Sequence, residues 1–414
     1  MSDEITRWLS ANALPLSTLS AGEPSEDLQP LHEVLKGVRV VGLGESTHGT
    51  REFFQLKHRL LEFLVREMGF RALAMEASES AALAVDAYVG GAPGDAARLV
   101  SRLDFWTWRT QEIVAMVEWM REHNRTVPAA ERVRFVGIDP QRCADSADAV
   151  GAFLEKAAPA TAESVRESLG VLAASRPGSL PDPGRRLYEE ARELAGFLEE
   201  HRASLAARTS PEAADDAVRH AGILVRCADL ITRPLQAGPG EESLYAVRDR
   251  HMAEAVHALV DGTADRVAVW AHNGHIAKGT YGQDVPALGS VLRRYHGDAY
   301  YALGLLFGKG RFRARRSGDT TGPALRHRIG GAGRSVESRL AAAVPGDYLV
   351  DLRGGAAEAA PAVQQWLRGP GLQRSFGASV PRFTYRFHVA PLVPAEDYDG
   401  LAFVAKSTCS RPLA

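Results

Sequence analysis

Cysteine is scarce in this chain. Cys143, Cys227 and Cys409 are the only three in 414 residues. No CxxC occurs, so an odd and scattered set excludes a disulfide framework and a paired-cysteine zinc site. An excess of charge of one sign is missing too. Lys and Arg number 49 against 51 Asp and Glu, a formal net charge of −2, which removes the electrostatic case for nucleic acid. The densest basic stretch, Lys309 to Arg316, reads as a solvated strand face. No apolar run approaches the ~20 residues of a membrane span, and the acidic start, Met1 to Ile5, lacks the apolar core of a signal segment. These absences predict a cytoplasmic protein whose partner is a small molecule, with neither nucleic acid nor membrane. They leave the oligomeric state open.

Several familiar chemistries are missing as well. No GxSxG elbow occurs, which weighs against a serine esterase of the α/β-hydrolase type. Gly42 and Gly44 begin a dinucleotide fingerprint, but Thr47 stands where its third glycine belongs. No Gly-Lys-Ser/Thr ends a phosphate loop. No cofactor is called for.

What is present is an alternation of apolar runs and helical periodicity. Val38–Gly44 reads as a strand and Glu52–Glu67 as a helix; Ala72–Met75 is a strand and Ser80–Tyr88 a helix; Arg109–His123 is an amphipathic helix and Val133–Ile138 a strand. Such alternation predicts an α/β fold with a mostly parallel sheet and flanking helices. From Ala144 to Val260 the strand-like runs vanish and Ala, Leu, Glu and Arg recur at helical spacing, with Pro- and Gly-rich breaks at Arg176–Gly184 and Pro234–Gly240. This predicts a large helical insertion forming a cap over an active-site cleft. The expected division is 1–142 for the first part of the core, 143–262 for the insertion and 263–414 for the second part. Arg266–Trp270 resumes the sheet, Tyr300–Leu306, Tyr348–Val350 and Leu401–Val404 follow as strands, and Gly308–Gly333 reads as a β-ribbon and loop.

The residues that follow these strands carry ionisable groups. The first strand leads into Glu45 and His48, the second into Glu76, the third into Asp139, and Arg266–Trp270 into His272 and His275. Parallel strands present their carboxyl ends on one edge, where such folds bind ligands. Imidazole titrates near neutrality, so histidine beside glutamate suits proton transfer. An Asp or Glu after a strand can also serve as a helix cap, and for Asp139, before Pro140, that reading stands beside the functional one. Two histidines and a carboxylate are a known metal-donor set, but the spacing is not that of a recognised metal motif, so no metal site is assigned.

At these residues the sequence resembles the erythromycin esterase family. The resemblance rests on Gly44-Glu45-Ser46-Thr47-His48-Gly49 with Glu52 and Phe53-Phe54 after it, Met75-Glu76-Ala77, and Phe105-Trp106-Thr107-Trp108 with Glu112. It continues in Glu118-Trp119-Met120-Arg121, Gly137-Ile138-Asp139, Arg248-Asp249 with Met252, and Trp270-Ala271-His272-Asn273-Gly274-His275-Ile276. Gly297-Asp298 before Tyr300-Tyr301, and Tyr398 to Phe403, complete it. The match departs from the family at Lys57, where resistance-type members have Arg, and at Ala255, where the family pattern often has Asn.

The resemblance implies hydrolysis of an ester or lactone, as in macrolide inactivation, by a water that histidine activates without a metal. Carried over by motif, His48 is the general base and Glu76 its carboxylate helper, while Glu45, His272 and His275 line the same pocket. Lys57, Trp106, Asp139 and Arg248 are expected to bind substrate, and Lys57, a second histidine or loop amides are the candidate donors to the developing oxyanion. Three other readings compete. An acyl transferase or cyclase of natural-product biosynthesis would use the same site on a substrate nucleophile. The others are a metal-dependent hydrolase and a non-catalytic binding protein. The sequence does not distinguish resistance from biosynthesis.

Overall fold

The computed structural model describes residues 3–236, 242–281, 285–319, 321–331, 333, 335–354 and 359–413. Part of the expected break at Pro234–Gly240, and single positions within Gly308–Gly333, lie outside the described residues. The strands that build the main sheet are β1 (Ala13–Pro15), β2 (Val40–Leu43), β3 (Ala72–Ser78), β4 (Arg134–Asp139), β5 (Val267–Trp270), β6 (Tyr300–Arg316), β7 (Leu325–Ile329), β8 (Tyr348–Asp351), β9 (Ser379–Val380) and β10 (Gly400–Ser407). Their order is β1-β8-β10-β6-β2-β5-β3-β4, with β7 and β9 paired to the far end of β6. From β10 to β4 every neighbouring pair is parallel. β1, β8 and β7 pair antiparallel. The fold is therefore α/β with a mostly parallel sheet.

The central strands are apolar throughout because both faces are covered. Every residue of β2 and β5 is buried. Helix α1 (Arg51–Met68) lies on one face and turns Phe53, Phe54, Leu56, Leu60, Leu61 and Leu64 inward. It stops at Gly69, whose φ of 73° is the left-handed C-terminal conformation that glycine adopts without strain. Helix α2 (Glu79–Val89) starts directly after β3, capped by Ser78, and α3 (Gln111–Thr126) is capped by Thr110.

Between β4 and β5 the chain is helical: α4 (Ala144–Ala157), α5 (Pro159–Ala174), α6 (Arg186–Glu200), α7 (Arg202–Ala206), α8 (Pro211–Thr232) and α9 (Leu244–Val260). Helices α4 to α8 share an apolar core of their own, including Val150, Leu154, Leu194, Leu224 and Ile231. Helix α9 is different in kind. Its Met252, Ala253, Val256 and Val260 join the core on the second face of the sheet, with Val267 and Val269 of β5. A short helix, α10 (Asn273–Ile276), follows β5. Among the described residues no helix is long and apolar enough to cross a membrane.

Candidate active site

Four adjacent strands, in the order β2-β5-β3-β4, end beside one another and deliver the ionisable residues. The loop after β2 is fixed by backbone contacts that only small residues allow. Gly44 donates to the Leu303 carbonyl at 2.9 Å, and a Cβ there would lie 2.1 Å from Oδ1 of Asn273. Arg313 donates to the Gly49 carbonyl at 3.1 Å, and a Cβ on Gly49 would stand 2.0 Å from the Arg313 carbonyl oxygen. Asn273 ties the β5 loop to the same frame: its backbone N–H reaches the Glu45 carbonyl at 2.9 Å, and its side chain exchanges hydrogen bonds with the backbone of Leu305.

Within that frame Nδ1 of His48 lies 2.8 Å from Oε1 of Glu45. A carboxylate only accepts, so Nδ1 carries the proton and the Nε2 lone pair is the basic face. The second oxygen of Glu45 lies 2.8 Å from Nζ of Lys57, which is wholly buried and sits 4.3 Å from the centre of the Trp270 ring. Burial lowers the Lys57 pKa, the charge of Glu45 offsets part of that, and the value settles at about 8. Lys57 thus holds Glu45 from the buried side of the loop.

His272 lies beside His48, ring centres 5.1 Å apart. It caps α10: the Gly274 N–H donates to its Nδ1 at 3.1 Å. A backbone amide can only donate, so the imidazole is protonated at Nε2. That N–H is buried and finds no hydrogen-bond partner among the described residues. Burial, then the neighbouring charge of His48, pushes the His272 pKa down to about 3, so the ring is neutral.

His275, one turn further on, is its opposite. Nδ1 lies 2.9 Å from Asp249 and Nε2 3.2 Å from Glu76. Burial opposes its charge, but Asp249 and then Glu76 outweigh burial and raise the pKa to about 10. The two carboxylates favour the imidazolium form; Nη1 of Arg248 also lies 3.1 Å from Nε2. Glu76 receives His275 on Oε1, together with Arg248 at 2.9 Å, and accepts the His272 backbone N–H on Oε2 at 2.9 Å. Burial would raise the Glu76 pKa; the charges of His275, His48 and Arg248 override it and hold the carboxyl well below its usual range. Arg248 also clamps Asp139 with two hydrogen bonds, at 3.1 and 2.7 Å.

Glu45, His48, Glu76, Asp139, Arg248, His272 and His275 are thus one connected cluster. Lys57 supports it from the core. Two expectations shift. Glu45 holds His48, where Glu76 was expected; Glu76 orders His275, Arg248 and the β5 loop. Trp106 lies against Arg313, whose guanidinium carbon is 5.6 Å from the ring centre. Trp108 takes the inner position, 5.4 Å from the His48 ring, and donates Nε1–H to the Glu76 carbonyl at 2.8 Å. Two site residues were not singled out from sequence, Trp108 and Asp249. Both stood inside quoted motifs, so the signal existed, but nothing in the spacing says which of Trp106 and Trp108 turns inward.

A cavity of about 230 Å³ opens on His272 and His275 and is walled by Gln373, Ser375, Pro391 and Tyr398. Among the described residues no group of three or more His, Cys, Asp or Glu side chains is arranged to hold a metal ion.

A histidine hydrogen-bonded to a carboxylate thus lies beside a second histidine on the carboxyl edge of an α/β sheet, the edge where such folds bind ligands. Residues 65–407 match the erythromycin esterase family, and the chain belongs to that family. The matched span holds Glu76, Asp139, Arg248, His272 and His275 and begins after the Glu45–His48 loop. Family membership supports hydrolase activity. The chain is 24% identical over 322 residues to erythromycin esterase type II of Escherichia coli, covering 72% of this chain and 76% of that protein. In fold it is similar to a crystal structure of a succinoglycan biosynthesis protein (TM-score 0.81, 22% identity, 98% of this chain and 97% of that one). It is also similar to a histidine-to-asparagine mutant of the erythromycin esterase EreC in its open conformation (TM-score 0.70, 16% identity, 97% and 98%).

Proposed function

We propose that the protein hydrolyses a carboxylic ester or lactone without a metal, using His48 as the general base. The observation that carries this is the pairing of His48, whose Nδ1 lies 2.8 Å from Oε1 of Glu45, with His272, whose buried Nε2 has no hydrogen-bond partner among the described residues. Water attacks the carbonyl carbon as Nε2 of His48 takes its proton. The carbonyl oxygen becomes an oxyanion and receives the His272 Nε2–H. The intermediate collapses, the acyl–oxygen bond breaks, and the His48 imidazolium returns its proton to the leaving alkoxide. Glu45 stabilises that imidazolium in the way a triad carboxylate does. His275 and Arg248 keep Glu76 ionised and thereby fix the loop that carries His272.

The metal-free reading has its own support. Nδ1 of His272 is occupied by an amide, both nitrogens of His275 face carboxylates, and Nδ1 of His48 faces Glu45, so no two imidazoles converge lone pairs on one point. The α4–α8 helices rest on α2, the helix that follows Glu76, through Arg226 to Glu79 and the Ser146–Ser80 hydrogen bond. In this reading they cap the cleft and admit the substrate.

Family membership and the Escherichia coli relative make erythromycin the first lactone to test, followed by smaller lactones and alkyl esters. The test is product mass in H₂¹⁸O. Hydrolysis places one solvent oxygen in the carboxylic acid. An acyl product without ¹⁸O would move the assignment to acyl transfer or cyclisation, and binding of these ligands without turnover would leave a non-catalytic binding protein.

A further inference from the structure

On the far end of β6 the chain gathers cations that the sequence separates. Lys309 of β6 sits beside Lys406 of β10 in parallel register. Arg311 of β6 is directly opposite Arg328 of β7, and Arg313 directly opposite Arg326. Like charges placed opposite on a ladder destabilise it, and here two such cross-strand pairs follow in succession beside a third lateral one. None of the six forms an ion pair within 4.0 Å among the described residues. Lys309, Arg311, Arg328 and Lys406 are exposed.

Protection of a sheet edge does not account for this. It calls for charge on the outer strand, not for Lys309 and Arg311 on the strand between β10 and β7. The surface is also concave. Lys309, Arg311, Arg328 and Lys406, with Ser407 and Thr408, line a cavity of about 500 Å³ that has no acidic residue in its wall. Among the described residues the carboxylate bonded to this wall is Glu52, and its two oxygens are engaged by the N–H and hydroxyl of Thr408. Gly310, at φ 140°, floors the cavity against the Ser407 backbone, where a Cβ would stand 2.2 Å from its carbonyl oxygen.

We propose that this cavity is a binding site for a compact, multiply charged phosphate anion of the diphosphate class. Four cations from three strands converge on one hollow, and a compact anion with several charged oxygens would relieve the Lys309–Lys406 and Arg311–Arg328 contacts at once. A long polyanion would need basic surface extending beyond the hollow, and the protein as a whole is weakly acidic.

The test is calorimetric titration of the full-length protein with inorganic pyrophosphate at constant ionic strength, on wild type, Arg328→Glu and Lys406→Glu. The expected result is saturable one-to-one binding that weakens by about tenfold or more in each variant. Arg328→Glu would face Arg311 as an ion pair, so its melting temperature should be no lower than that of wild type, while pyrophosphate should no longer raise it. Absence of saturable binding to wild type would overturn the proposal, as would equal affinity in all three proteins. If either variant fails to fold, competition decides: 0.5 M NaCl should weaken pyrophosphate binding to wild type, because exposed charges are screened, and unchanged affinity would overturn the site. Binding of heparin, or of phosphatidylserine vesicles, without binding of pyrophosphate would overturn it in favour of an extended polyanion or a lipid surface.

Discussion

Nδ1 of His48 and Oε1 of Glu45 are 2.8 Å apart, three residues apart in sequence, in a loop where neither can turn away. The carboxylate fixes the tautomer that leaves Nε2 basic, and Lys57 fixes the carboxylate. Glu45→Gln keeps the shape but can offer its amide N–H to Nδ1, which would put the imidazole proton on the wrong nitrogen. Turnover of Glu45→Gln should fall by about 10²-fold or more with little change in KM. Steady-state kinetics on an ester substrate checks this; a kcat within a fewfold of wild type would show that Glu45 does not orient the base.

His272 is expected to act on the oxyanion alone. His272→Ala should lower kcat by about 10²–10³-fold and leave KM nearly unchanged, the pattern of a donor used only in the transition state. A rise in KM at unchanged kcat would make it a ground-state contact.

The charge on His275 gives stability a pH signature. Its pKa is about 10 in the fold against the ordinary 6.5, so the native state binds the extra proton between those values. That contribution is full below pH 6.5 and is lost as pH rises through about 10. Lys57 works the other way, lowered from 10.5 to about 8, so the comparison is made against His275→Gln, which retains Lys57. The difference in melting temperature between wild type and His275→Gln should be largest near pH 6 and shrink steadily toward pH 10. A pH-independent difference would mean that His275 is not the charged partner of Asp249 and Glu76.

Gly49 is where the His48 loop touches the backbone of β6. Gly49→Ala places a methyl 2.0 Å from the Arg313 carbonyl oxygen, and backbone cannot swing aside as a side chain can. Overpacking of this kind costs about 1–3 kcal/mol. Urea unfolding should record that loss together with a fall in kcat as His48 shifts. Wild-type stability and turnover would show that the loop accommodates a side chain.

Much of this was legible in the sequence. Val38–Val41, Ala72–Met75 and Arg266–Trp270 read as strands because central parallel strands are apolar on both faces, and parallel order alone brings Glu45, Glu76, Asp139 and His272 to one edge. Their pairing was not legible. Glu45 follows β2, Glu76 lies near the end of β3, and both face histidines; strand order alone does not say which carboxylate meets which ring. Lys57 looked like a cleft donor because helical spacing cannot tell a side chain under the loop from one above it. Asp249 was hidden by its neighbour: Arg248 and Asp249 are adjacent on α9, yet one reaches Glu76 and Asp139 and the other His275. The cationic hollow could not be read from Lys309–Arg316 alone, since Arg328 and Lys406 arrive from other strands.

The central claim is that His48 removes the proton from the attacking water. It is tested most directly by the turnover of His48→Gln on an ester or lactone that wild type hydrolyses, with the fold verified by circular dichroism and melting temperature. The expected result is a loss of at least about 10²-fold in kcat in a folded protein. A folded His48→Gln enzyme with near wild-type turnover would contradict it.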